Sequence, residues 1–184
     1  MDEKTKARIM DGTKIRRVLN RLATEVIERN RNLRNLTLVG IRTRGIHLAH
    51  RLAKLIRDLE GVEVPVAVLD ITPYRDDALN PAKQTPGRKR KAKFAVDKKD
   101  ILLVDDVLMT GRTIRAAMEG LIDLGRPRTI QLLTFIDRGH RELPIRPDFI
   151  GKTLPTSRRE NVHVRLKESD GTDEVLISEP VKLR

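Results

Sequence analysis

The sequence predicts an α/β fold: a mainly parallel sheet with helices on both faces. Three observations carry this. Strand-like and helix-like apolar patterns alternate from Leu36 to Ile136; the stretch "ILLV" at 101–104 is a continuous apolar run, as suits a strand covered on both sides; and glycine or proline closes the two helix patterns within that span, at Gly61 and at Gly125 with Pro127. In 184 residues with 39% apolar content this amounts to one domain, and no internal repeat is visible.

From Thr13, which reads as an N-cap, Ile15, Val18, Leu19, Leu22, Val26 and Ile27 recur at helical spacing, with Arg16, Arg17, Arg21 and Arg29 largely off that stripe. This is an amphipathic helix with a basic outer face. "LTLVGI" at 36–41 reads as a buried strand, 46–59 as a helix and 64–71 as the next strand. Between Pro73 and Lys99 periodicity vanishes, and eight basic residues from Lys83 onward face a single acid, Asp97. A loop of that length in a compact domain is commonly functional. The run 101–104 restarts the sheet, 112–124 returns to helical spacing, and 129–136 is another strand. A proline-punctuated segment follows, "DRGHRELPIRPDFIGKTLP", then two alternating runs at 162–166 and 174–178 joined by the turn residues Ser169, Asp170 and Gly171.

Composition narrows the function. Lys and Arg exceed Asp and Glu by 38 to 26, a net +12 that points to a polyanionic partner, while 2% aromatic content argues against a base-stacking platform. Without cysteine there is neither a disulfide framework nor a thiolate metal site, and four histidines make a zinc site a poor expectation. The charged start "MDEKTKARIMDG" lacks the apolar centre of a secretory signal, and no apolar run approaches the roughly 20 residues that span a bilayer. A soluble, cytoplasmic protein is expected.

The chemistry concentrates in "ILLVDDVLMTGRT". In open parallel sheets ligands sit outside the carboxyl ends of the strands, and Asp105 and Asp106 fall where the central run leaves the sheet. The next helix begins within a few residues; its N-terminal N–H groups, with Gly111 and the hydroxyls of Thr110 and Thr113, suit a phosphate. Carboxylates beside a phosphate must face something else, either neutral hydroxyls or Mg2+. A sugar phosphate satisfies both groups. Neither Gly-x-x-x-x-Gly-Lys-Ser/Thr nor Gly-x-Gly-x-x-Gly occurs.

The stretch "VDDVLMTGRT" resembles the phosphoribosyl diphosphate motif of type I phosphoribosyltransferases. Together with "VGIRTRGIHLA", "LDITPYRDD", "GRPRTIQL" and "DRGHRELPIRPDFIGKTLPTS" it resembles, over nearly the whole chain, the family of bifunctional pyrimidine operon attenuators and uracil phosphoribosyltransferases. The resemblance implies a single phosphoribosyltransferase domain over 1–184, with a flexible loop at about 74–97 that closes over the site and a hood at about 137–160. It implies formation of UMP from uracil and phosphoribosyl diphosphate, with Mg2+ carried chiefly by the substrate and no metal held by protein side chains alone. Asp105 and Asp106 would be the catalytic acids on the ribose; Val107, Leu108, Met109, Thr110, Gly111, Arg112 and Thr113 would complete the nucleotide-binding motif. Arg42, Thr43, Arg44 and Gly45 would form the diphosphate loop, and Arg138 and Val162 would bind the base. Met109 stands where this family usually has Tyr, and Pro73 where an apolar residue is common.

The same resemblance gives the positive charge a purpose: binding the leader of the pyrimidine messenger RNA, with uridine nucleotides, UMP or UTP, as corepressors. Arg21, Arg29, Arg141, Arg146 and Lys152 occupy the matching positions, and Thr24 stands where the family often carries His. A homodimer or homotetramer is implied, and no membrane association. A purine phosphoribosyltransferase is the alternative enzyme, and the hood sequence argues against it.

Overall fold

The computed structural model describes residues 3–41, 43–74 and 94–181. The chain runs β1 (Glu3–Asp11), α1 (Gly12–Arg29), β2 (Leu36–Ile41), α2 (Arg44–Glu60), β3 (Val66–Leu69), β4 (Asp100–Leu108), α3 (Arg112–Leu124), β5 (Thr129–Asp137), β6 (Phe149–Thr153), β7 (Asn161–Arg165), α4 (Lys167–Asp170) and β8 (Glu174–Pro180). Strands β2 to β6 form a five-stranded sheet in the order β3-β2-β4-β5-β6, every pairing parallel. A second, antiparallel sheet has the order β1-β8-β7.

The unbroken apolar runs of β2 and β4 follow from burial on both faces. On one face Leu102, Val104, Leu133 and Phe135 pack against Leu19 and Leu22 of α1 and Leu48 and Leu52 of α2. On the other, Val39, Ile41, Ile101 and Leu103 meet Ile114, Ala117 and Leu121 of α3. Leu102 is fully enclosed, and cutting such a side chain back to alanine costs about 2–5 kcal/mol. Val164, Val175 and Ile177 of the antiparallel sheet join the first face, so the two sheets share a core.

Several boundaries differ from the sequence expectation. The cap of α1 is Asp11, whose carboxylate accepts from the Lys14 N–H at 2.8 Å; Thr13 lies inside the helix. Strand β3 is shorter than expected. Strand β4 does not stop before the acids but runs through them to Leu108, with Asp105 opposite Thr134 and Val107 opposite Ile136. Strands β1 and β6 were not anticipated. In β1 lysine and arginine occupy one side of the alternation and most of the strand is exposed, while β6 is short and flanked by prolines. No helix among the described residues is long and apolar enough to cross a membrane.

One topological feature positions everything that follows. From β2 the chain moves outward to β3, then returns past β2 to place β4 on its other side. The connections therefore leave the carboxyl ends of β2 and β4 in opposite directions, and a crevice opens between them.

Candidate active site

Asp105 and Asp106 stand at the β4 side of that crevice. Asp105 is only 5% exposed and Asp106 partly so. Burial pushes the Asp105 carboxyl well above the usual range, and the neighbouring Asp106 charge pushes it further. Asp106 is raised by burial as well, against the opposing pull of the Arg44 guanidinium. No salt bridge reaches either acid among the described residues. Buried acids that no described cation pairs with directly suit a place where a ligand completes the electrostatics.

From β2 the crevice is closed by the exit loop. Gly45, at the start of α2, sits so near β4 that a Cβ there would collide with the Val104 carbonyl oxygen. That contact brings Thr43 and Arg44 alongside the acids. Arg44 lies near enough for its charge to act on Asp106 and pairs side-on with Asp170, Nε to Oδ2 at 3.1 Å and Nη2 to Oδ1 at 2.8 Å. Arg42 lies outside the described residues, as does 75–93, most of the loop expected to close over the site.

Beyond Leu108 the chain turns into α3. Gly111 adopts φ +92°, a left-handed conformation that a side chain would strain, and serves as the helix cap. The Thr110 hydroxyl accepts from the Arg112 N–H at 3.3 Å, and the Thr110 carbonyl accepts from the N–H groups of Glu142 and Leu143 at 3.0 and 3.1 Å. The Arg112 Nε donates to the Glu142 carboxylate at 2.8 Å. The turn at 110–113 is thus pinned from behind by 142–143, while the first N–H groups of a 13-residue helix point forward, an arrangement suited to a phosphate.

The segment after β5 forms the third wall. The Arg138 N–H donates to the Leu108 carbonyl at 3.1 Å, and its buried guanidinium donates to Thr156 Oγ1 and the Ser157 carbonyl at 3.1 and 2.9 Å; burial lowers its affinity for the proton. Val162, half-buried on β7, lies in a strand that packs against β4. Arg141 is turned inward: Nη1 donates to the Met109 carbonyl at 2.9 Å, Nη2 to Asp137 at 2.6 Å and Nε to the Ile145 carbonyl at 3.0 Å. His140 takes φ +62° with its ring against the Thr156 carbonyl. Val107 and Leu108 remain strand residues.

A basic face lies elsewhere. Arg21 of α1 donates to the carbonyls of Ile150 and Gly151 at 3.1 and 2.5 Å, covering the open edge of β6. Arg29 pairs with Asp148 at 2.7 Å and lies 5.4 Å from the Phe149 ring centre. Arg146 and Lys152 are exposed beside them, and Thr24 lies on the same helix. Four of the five predicted RNA contacts share this surface; Arg141 directs its donors inward. Sequence reasoning missed Asp170, read only as a turn residue, and the bracing role of Asp137. Asp170 carries no local signal because its partner Arg44 lies 126 residues away; Asp137 acts on Arg141 only four residues on, in a loop segment where that spacing has no helical meaning.

The phosphoribosyl transferase domain family matches residues 6–169. The bifunctional protein PyrR of Pelotomaculum thermopropionicum is 57% identical over 174 residues, covering 95% of this chain and 96% of that one. Those of Deinococcus radiodurans and Thermus thermophilus are 54% and 55% identical, over 97% and 92% of this chain and 98% and 94% of theirs. Among solved structures, a hypoxanthine phosphoribosyltransferase of Trypanosoma cruzi superposes with a TM-score of 0.72 at 15% identity, covering 96% of this chain and 98% of that one. A hypoxanthine-guanine phosphoribosyltransferase of Bacillus anthracis gives 0.68 at 11% identity, over 97% and 100%. At such identities the structural likeness concerns the fold.

Proposed function

The chain belongs to the phosphoribosyl transferase family, and we propose that it is a pyrimidine-responsive RNA-binding regulator of transcription attenuation that also transfers phosphoribosyl groups to uracil. The observation that carries this is the acid pair set between the Arg44 loop and the 110–113 turn, in a chain more than half identical to bifunctional PyrR proteins.

The proposed reaction is a displacement at the anomeric carbon. Uracil N1 forms a bond to the anomeric carbon, the bond to the diphosphate oxygen breaks, diphosphate leaves with the electron pair, and the N1 proton is lost. Positive charge builds on the ribose ring and negative charge on the leaving group, so positioning and charge complementarity are the protein's main contributions. Asp105 and Asp106 accept from the ribose hydroxyls and face the cationic ring; Thr110, Gly111, Arg112 and Thr113 bind the 5-phosphate; Arg42, Thr43, Arg44 and Gly45 take the diphosphate. Arg138 and the backbone at Val162 meet the base under the 137–160 hood, and the 74–97 loop closes the site within one 1–184 domain.

The substrate is the Mg2+ complex of phosphoribosyl diphosphate. The ion would be carried on substrate oxygens and waters, with the Asp106 carboxylate nearby as a single hard oxygen donor. Carried on the substrate, Mg2+ would supply neutralisation of the negative charge on the diphosphate. Arg21, Arg29, Arg146 and Lys152 present the RNA-binding face, Arg141 being turned inward to Met109 and Asp137, and the protein acts in the cytoplasm as a homodimer or homotetramer. Incubation with uracil, phosphoribosyl diphosphate and Mg2+ yields UMP; product from hypoxanthine instead of uracil would overturn the enzymatic reading. Leader RNA binds more tightly with UMP present, and indifference to both nucleotide and RNA identity would overturn the regulatory one.

A further inference from the structure

Helix α2 sends two arginines, Arg44 and Arg51, to the connection between β7 and β8. Arg51 donates to Glu168 at 2.8 and 2.6 Å and to Asp173 at 3.1 and 2.7 Å, a four-contact clasp remote from the crevice. Arg44 opens α2 directly behind the exit of β2, and its charge reaches Asp106. Its partner Asp170 is itself held: the Leu166 N–H and the Ser169 hydroxyl both donate to Asp170 Oδ2, each at 2.9 Å. The carboxylate is thus fixed by backbone before it touches the arginine.

We propose that Asp170 is a positioning residue for the diphosphate of phosphoribosyl diphosphate, holding the Arg44 guanidinium in its anion-binding orientation through the side-on pair. The inference rests on the function proposed above. Arginine carries a long flexible stem, and fixing it on binding costs conformational entropy. A side-on carboxylate pair settles that orientation beforehand and uses only Nε and one N–H of Nη2, leaving the Nη1 donors and the second Nη2 N–H for an anion. The opposite role, a carboxylate that occupies Arg44 and must be displaced by diphosphate, makes the contrary prediction.

The test uses the full-length protein with Asp170→Asn, and Glu168→Gln as a control on the same connection. Mg2+-diphosphate binding and UMP binding are each titrated calorimetrically, alongside steady-state kinetics. Asp170→Asn weakens diphosphate and raises KM for phosphoribosyl diphosphate about tenfold or more. UMP affinity is unchanged, because UMP has no diphosphate. Asp170→Glu recovers part of the loss, and Glu168→Gln lowers Tm without moving either affinity. Unchanged or tighter diphosphate binding in Asp170→Asn would overturn the proposal, as would equal loss of diphosphate and UMP with a fall in Tm, the mark of a purely structural residue. If the wild type makes no UMP, the enzymatic reading falls; the diphosphate titration still decides the role of Asp170, and a wild type that binds no diphosphate sinks it.

Discussion

Strand β4 carries aspartates at both ends, and the fold treats them in opposite ways. At its start, buried Asp100 accepts from Arg128 Nε at 2.8 Å, from Arg128 Nη2, from the Thr129 hydroxyl at 2.8 Å and from Asn35 Nδ2 at 3.1 Å. Chiefly through Arg128 its carboxyl is held down at about 2. At the exit, Asp105 is as deeply buried, yet both it and Asp106 are pushed upward by desolvation. An acid that the fold supplies with donors holds the strand in place. One that no described cation pairs with is costly to ionise, and a ligand bringing cations or hydroxyl donors relieves that cost.

That contrast predicts opposite phenotypes. The largest effect is catalytic: Asp106→Asn lowers kcat/KM for UMP formation by on the order of 10²–10³ in steady-state assays, while Asp100→Asn leaves it unchanged. A retained rate in Asp106→Asn would erase the distinction between the two ends. Next comes stability: Asp100→Ala costs about 1–3 kcal/mol, read as a fall in Tm of roughly 2–4 °C for each kcal/mol in a chain this size.

The pH dependences run in opposite directions. The folded value of Asp100 is depressed, so its contribution is present above the ordinary carboxylate value of about 3.9 and is lost as pH falls toward about 2. Asp100→Asn flattens acid unfolding across that window. Asp105 has a raised folded value, so full stability is present below the ordinary carboxylate range and is lost as pH rises through the folded value. Asp105→Asn therefore melts higher than the wild type at pH 8, with the gap narrowing at pH 5; a gap that widens on acidification would reverse the assignment. The smallest effect lies outside the strand. Arg146→Gln on the basic face reduces the slope of log K against log salt for leader RNA by about one without changing UMP formation.

How far each region was legible depends on how local its cause is. The run 101–104, the β2 strand and helix Arg112–Leu124 were readable because burial on two faces and a 3.6-residue period write themselves into consecutive residues. The placement of the acids and of the turn that starts the next helix was readable for the same reason, all lying within the nine residues from Asp105 to Thr113. Strand β1 was not, because it is held by pairing with β8 at the other end of the chain. Nor was the role of Asp170, 126 residues from Arg44, or that of Arg141, 32 residues from the Met109 carbonyl it holds. Such partnerships leave no periodic trace.

The stretch from Asp137 to Gly151 grips the molecule at two separate places. Its first half holds the turn at 110–113, through Glu142 and Leu143 at Thr110 and Arg141 at Met109; its second half holds α1, through Asp148 at Arg29 and Gly151 at Arg21. If, as proposed above, a nucleotide is held at that turn, stiffening the first half would restrain the span leading to the second. Thermodynamic reciprocity then fixes the exchange: whatever factor the nucleotide adds to the grip on RNA, RNA returns to the grip on the nucleotide.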